Sequence, residues 1–221
     1  MDIKALAQKY EPYIIERRRY FHAHPELSFK EWETTKALVA EFEKMGMEIQ
    51  TFPDYPGLIA TLDTGKPGRT VMLRADIDAL PVKEGTGLDF ASQNEGVMHA
   101  CGHDNHMAML LGAAHILLEK KDELKGKVKF LLQSGEEMAC GAKYYVDHHI
   151  LDGVDAIFGQ HIWGTLDAPY VCVASGNRMA SCDNFTIRVK GLQSHGSAPQ
   201  DGHDAIVAAS AIVMALQTYV S

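Results

Sequence analysis

Leu6, Tyr10, Tyr13, Ile14 and Arg17 recur near helical spacing and predict a helix over residues 2 to 24. It should end before Pro25, because a proline drives the residue ahead of it out of the helical region. "EWETTKALVAEFEKM", residues 31 to 45, predicts a second helix that stops at Gly46. "MEIQTFP" and "LIATLDT" read as a strand pair, and "VMLRA" as a buried strand running into the acidic "DIDAL". The strongest helical pattern is "HMAMLLGAAHILLEKKDEL", where Met107, Leu110, Leu111, Ala114, Leu117 and Leu118 recur at spacings of three and four. Asp104 is placed to cap its start. "KVKFLLQS" then predicts a strand, "GAKYYVDHHIL" a helix and "DAIFGQHI" another strand. Strands alternating with helices imply an α/β fold, with a largely parallel sheet covered on both faces.

The texture changes near residue 180. "CDNFTIRVKGL" alternates apolar and polar positions (Phe185, Ile187, Val189), as a half-exposed antiparallel strand does, and "DAIVAASAIVMALQTYV" predicts a helix. That last helix has no C-terminal glycine or capping signal, which suggests a chain cut inside a helix. A lone strand and helix cannot make a core. Residues 1 to 180 are therefore expected to form one domain and 181 to 221 the front of a second, incomplete one.

The 221-residue chain has 46% apolar and 23% charged residues, the balance of an ordinary globular protein. Its net charge of −8 and lack of basic runs argue against a nucleic-acid partner. No apolar segment approaches the roughly 20 residues that cross a bilayer, and the charged, amphipathic N-terminus carries no secretory pattern. A cytoplasmic location is expected. Cys101, Cys140, Cys172 and Cys182 are irregularly spaced, which favours free thiols or ligands over a disulfide framework.

Ligands of open α/β sheets bind beyond the carboxyl ends of the strands. Asp76 and Asp78 follow "VMLRA", Glu136 and Glu137 follow "KVKFLLQS", His161 follows "DAIFGQ", and "MHACGHDNH" precedes its helix. Cys101 and His103, two apart, share a face in extended chain and can share a metal. They equally suit an inert buried cysteine beside a capping turn. His99 and His106 read better as satisfied or solvent-facing histidines than as ligands. Asp104 can also orient a ligand imidazole. In "SGEE" one carboxylate can bind metal while the other takes a proton from water, or both can serve a helix N-terminus. His148, His149 and His195 read, from spacing alone, as surface residues.

"RRYFHAHPELSFKEWET", "RADIDALPV", "MHACGHDNHMAMLLGAA", "LQSGEEMACGAKYYVD", "GQHIWG" and "VKGLQSHGSAPQDGHDAI" occur in one order over residues 14 to 215. In that order they resemble the M20 metallopeptidases, and within them the amidohydrolase subgroup of hippurate hydrolases, N-acyl-amino-acid deacylases and auxin-conjugate hydrolases. The resemblance implies a three-layer αβα sandwich of the zinc-peptidase type with the beginning of an α+β lid or dimerisation domain. It implies two divalent cations, zinc or manganese, with cobalt or nickel as alternatives, held by Cys101, His103, Glu137 and His161. Glu136 would be the general base, Asp78 the acid that orients a metal-binding group, and His195 a lid-domain group that steadies the oxyanion in a partner subunit's site. The substrate would be a small N-acyl amino acid and the intact protein a homodimer or larger. Members of the subgroup are longer and draw a further histidine ligand from beyond the lid, so a weakly active or inactive chain is expected. A dipeptidase or aminopeptidase of the same superfamily, or an inactive metal-binding remnant, are the rival readings.

Overall fold

The computed structural model describes residues 2–177, 179, 181 and 183–219; Cys182 lies outside them. The chain divides into two compact units, Met1–Cys172 and Val173–Ser221, ahead of the change in texture near residue 180.

The first unit contains the helices α1 (Ile3–Ala23), α2 (Trp32–Lys44), α3 (His103–Glu119) and α4 (Gly141–Asp147). Its strands are β1 (Glu48–Thr51), β2 (Gly57–Asp63), β3 (Thr70–Asp76), β4 (Lys127–Gln133) and β5 (Ala156–Gly159). They form one sheet in the order β1-β2-β4-β3-β5. The expected strand pair β1–β2 is antiparallel, with Glu48 opposite Thr61. β2 is also antiparallel to β4, whereas β3 runs parallel to both β4 and β5. The sheet is therefore mixed rather than largely parallel. A short connection folds β2 back on β1, while β3, β4 and β5 are joined through helices, as parallel neighbours require.

Alternation along the strands explains the layers. Leu58, Ala60 and Leu62 of β2 and Phe130 and Leu132 of β4 turn to one face, where they pack on Phe21, Leu38, Phe42, Met107 and Leu111 from α1, α2 and α3. Ile59, Met72 and Leu131 turn to the other face and meet Phe52, Tyr145 of α4 and Ile150. Three layers result, although cover thins out at β5, where Ile157 and Phe158 stay more than half exposed. No helix among the described residues is long and apolar enough to cross a membrane.

Two local expectations fail. Asp104 does not cap α3. The cap position is Gly102, at φ 93°, and the carboxylate of Asp104 is wholly buried against cations from α1. An ion pair made in the interior takes the side chain that a cap would use. In the second unit, Ile187 and Val189 lie beside the helix α5 (Ala205–Leu216), yet the described residues from 183 to 190 form no strand. A strand exists by ladder pairing, and the one bridge here joins Leu192 to His203. The helix itself forms as expected, capped by Asp204, whose carboxylate accepts from the N–H groups of Ile206 and Val207.

Candidate metal centre

The parallel register sets Asp76 beside Gln133 and Arg74 beside Gly159, so β3, β4 and β5 end on one rim. The chain leaving each end carries an acid or an imidazole. Asp76 is buried and receives the Arg74 guanidinium at 2.7 Å and Nδ1 of His106. Burial acts to raise the Asp76 carboxyl, and these partners outweigh it, holding the group well below the usual range. The Asp78 carboxylate accepts from the Ser28 hydroxyl at 2.7 Å and from the Glu137 N–H at 2.9 Å.

His103, fully buried in the first turn of α3, lies 2.9 Å through Nδ1 from the carbonyl oxygen of Asp78. A carbonyl only accepts, so Nδ1 carries a proton, and Nε2 is the ring atom left to offer a lone pair to a ligand. That nitrogen is buried without a hydrogen-bond partner. Around it stand Asp76 Oδ2 at 3.6 Å, Glu137 Oε1 at 3.8 Å and Glu136 Oε2 at 3.9 Å. Against its burial, Asp78, Asp76 and Glu137 raise the His103 pKa. Burial first, and then Glu136 and Asp78, raise the Glu137 carboxyl against the lowering pull of His103 and Cys101.

Cys101 Sγ lies 3.3 Å from Nε2 of His161, whose Nδ1 is turned to the carbonyl of Ile162. Burial and the surrounding carboxylates, Glu137 foremost, push the Cys101 thiol up to about 12. A cation reverses that balance and takes the thiolate. The donor atoms of Cys101, His103 and His161 lie within 4.8 Å of one another, as do those of His103, Glu136 and Glu137. Buried polar atoms in native proteins are almost always satisfied. Here His103 Nε2, Glu137 Oε1 and Asp78 Oδ1 are not. A mixed S/N/O donor set around such atoms fits divalent transition-metal ions.

Gly102 separates the two ligand-type side chains for a steric reason. Its φ of 93° suits glycine, and an added Cβ would lie 2.2 Å from Cδ1 of Ile162, beside His161. Gly102→Ala should therefore cost about 1–3 kcal/mol of stability. Urea unfolding of the two proteins measures this, and an unchanged midpoint would refute it.

His106 is a satisfied, buried histidine, one of the two readings expected: its Nδ1 bonds Asp76 and its Nε2 accepts from the Ile162 N–H at 3.0 Å. Other neighbours depart from the sequence reading. His99 is buried with neither ring nitrogen partnered, and burial pushes its pKa down to about 4. Asp104 joins Arg18 at 2.9 Å and His22 at 2.8 Å, and His22 reaches on to Glu84 at 3.1 Å. Glu31 went unnoticed in the sequence. It is fully buried, accepts from the Ser134 hydroxyl and the Gly135 N–H, and is lifted by burial to about 7. Only the repeated polar positions of "HAHPELSFKE" hinted at this side of the site.

His195 lies in the second unit, exposed, where its Nδ1 meets the Ser197 hydroxyl at 2.8 Å. It belongs neither to the two donor groups above nor to the third one found among the described residues, Asp76, His103 and His106. His148 and His149 are exposed, as expected, and neither Cys101 nor Cys140 is in a disulfide.

The sequence pattern described as peptidase family M20/M25/M40 matches residues 72–217. An N-acyl-L-amino acid amidohydrolase of Geobacillus stearothermophilus is 41% identical over 221 residues, covering all of this chain and 60% of that protein. A crystal structure from methicillin-resistant Staphylococcus aureus superposes with a TM-score of 0.83 at 42% identity, over 99% of this chain and 58% of that one. A dinuclear metal-binding peptidase of the M20 family from Bacillus subtilis gives a TM-score of 0.68 at 44% identity, over 74% of this chain and 45% of that one. The chain thus spans about half to three-fifths of the length of the proteins it matches.

Proposed function

The chain belongs to the M20/M25/M40 peptidase family, and on that footing we propose that its first unit holds a two-metal centre for hydrolysing the amide bond of N-acyl amino acids. Foremost in support is Nε2 of His103, buried and unpartnered, facing Glu137 and Glu136 at 3.8 and 3.9 Å. The similarity to an N-acyl-L-amino acid amidohydrolase supports the substrate class.

Cys101, His103, Glu137 and His161 would hold the cations, with zinc or manganese first and cobalt or nickel as substitutes. When bound, they supply Lewis acidity at the acyl carbonyl and lower the pKa of water. Asp78 fixes the His103 ring through its backbone carbonyl and the Glu137 backbone through its carboxylate. Glu136, more open to solvent than Glu137, takes the proton of the attacking water and passes it to the leaving amine. His195 is assigned to steady the oxyanion from the lid domain of a partner subunit, on the strength of its place in "QSHGSAPQ". Residues 1–180 would be the catalytic domain and 181–221 the start of the lid, in a cytoplasmic enzyme that is a homodimer or larger.

In the intact protein, chelation should abolish hydrolysis of N-acyl amino acids, and added zinc, manganese or cobalt should restore it, with dipeptides turned over poorly on the same panel. Cys101→Ala should lower the bound metal measured by elemental analysis. Metal-independent turnover, or full metal content in Cys101→Ala, would remove this assignment.

A further inference from the structure

The chain from Glu26 to Glu31 crosses the rim on which the acidic loops converge. The Ala79 N–H donates to the Glu26 carbonyl at 2.8 Å, and Leu27 makes a parallel bridge to Ala79. This fixes the segment against the chain that leaves β3. Three successive contacts then reach the site. The Ser28 hydroxyl donates to Asp78 at 2.7 Å. Phe29, at φ 64°, lays its ring where a side chain on Gly135 would stand, 2.2 Å from an ideal Cβ. The Glu31 carboxylate accepts from the Ser134 hydroxyl at 2.8 Å on both oxygens, and from the Gly135 N–H at 3.0 Å.

Gly135, at φ 72°, is the left-handed residue immediately before Glu136 and Glu137. The direction in which that pair projects depends on this turn. On the far side, the Glu137 N–H is taken by Asp78. The turn is thus gripped at both ends by hydrogen bonds, and one grip is a fully buried carboxyl group with no ion pair to it among the described residues.

We infer that Glu31 is a positioning residue of the metal centre, holding the Ser134–Gly135 turn so that Glu136 and Glu137 face His103. This rests on the proposed roles of that pair. Glu31 touches neither the donor atoms nor the substrate in this account; it works through the turn. Because burial lifts its carboxyl to about 7, much of it is the neutral acid near neutral pH, and glutamine is its close isostere. A glutamine can accept from the Gly135 N–H and donate to the Ser134 hydroxyl.

Cobalt(II) is the probe, titrated into the wild-type chain and into Glu31→Ala, Glu31→Gln and Ser134→Ala. Absorption reports the Cys101 thiolate band and the ligand-field bands separately. Glu31→Ala should bind cobalt about 10–100-fold more weakly, as loss of an outer partner does, with altered ligand-field bands and a retained thiolate band. Glu31→Gln should stay within about threefold of wild type, and Ser134→Ala should fall between. Thermal unfolding of the metal-free proteins gives the purely structural loss, which would leave the cobalt spectrum unmoved. Wild-type affinity and spectrum in Glu31→Ala, or a Glu31→Gln as weak as Glu31→Ala, would overturn positioning while leaving the centre intact. If Glu31→Ala does not fold, wild-type binding by Ser134→Ala overturns it instead. A wild-type chain with no Cys101-dependent thiolate band would remove the metal centre and this inference together.

Discussion

In the intact protein, under the proposed function, Glu136→Gln should retain bound metal and lose about 10²–10⁴-fold in kcat on N-acyl amino acids. The two adjacent glutamates differ in what surrounds them. Glu137 is 18% exposed, its backbone N–H is held by Asp78, and its Oε1 is buried without a hydrogen-bond partner. Glu136 is 39% exposed, and its Oε2 lies 3.9 Å from the same nitrogen of His103. A group that must pick up a proton and release it again needs that opening. A group that must grip a cation needs the deeper seat. Glutamine fills the volume of Glu136 and cannot accept the proton, so the loss should sit in kcat, with KM little changed. Elemental analysis alongside steady-state kinetics separates the two roles. Glu137→Gln should show the opposite pattern, with metal content falling first. Wild-type turnover in Glu136→Gln would transfer the proton work to another residue.

Most of what places this centre was local and therefore readable. The ends of β3, β4 and β5 carry their acids and imidazole within four residues of the last strand position, and parallel strands bring such ends to one rim. Spacing alone left the Cys101–His103 pair and the glutamate pair each with two readings. The unpartnered nitrogen of His103 favours the metal-binding one. What could not be read was long-range. His22 meets Asp104 across 82 positions and Ser134 meets Glu31 across 103, and no periodicity encodes either pairing. The capping role expected of Asp104 failed for that reason, since its partners lie in α1. The expected strand near Phe185, Ile187 and Val189 failed because alternation states a preference, and only a paired neighbour makes a strand. The sheet order was out of reach for the same cause: β2 reads identically whether its second neighbour is β3 or β4.

Asp104→Ala should destabilise the metal-free protein by about 3 kcal/mol. The carboxylate has no exposure at all and binds two cations from α1, Arg18 at 2.9 Å and His22 at 2.8 Å. Removing one partner of a buried pair leaves the others without their counter-charge, which typically costs 3–5 kcal/mol. The lower end applies here because Arg18 is 28% exposed and can turn towards water, and His22 can lose its proton and keep Glu84. Over a unit of this size the change corresponds to a fall of roughly 6–12 °C in Tm. The pH dependence identifies the source. Burial by itself would raise the Asp104 carboxyl, but His22, His99 and Arg18 hold it below its usual value. Its contribution is therefore full above about pH 4 and fades as the pH falls through the lowered value. The Asp104 hydrogen bond raises His22 against its burial, so that contribution is full below about pH 6.5 and fades as the pH rises through the raised value. The stability gap between wild type and Asp104→Ala should thus be widest between about pH 4 and 6.5 and narrow on both sides. Urea unfolding across that range measures it. A gap that stays flat with pH would mean that Asp104 contributes by filling space, and that the ion pairs joining α1 to α3 add nothing to the seat of His103.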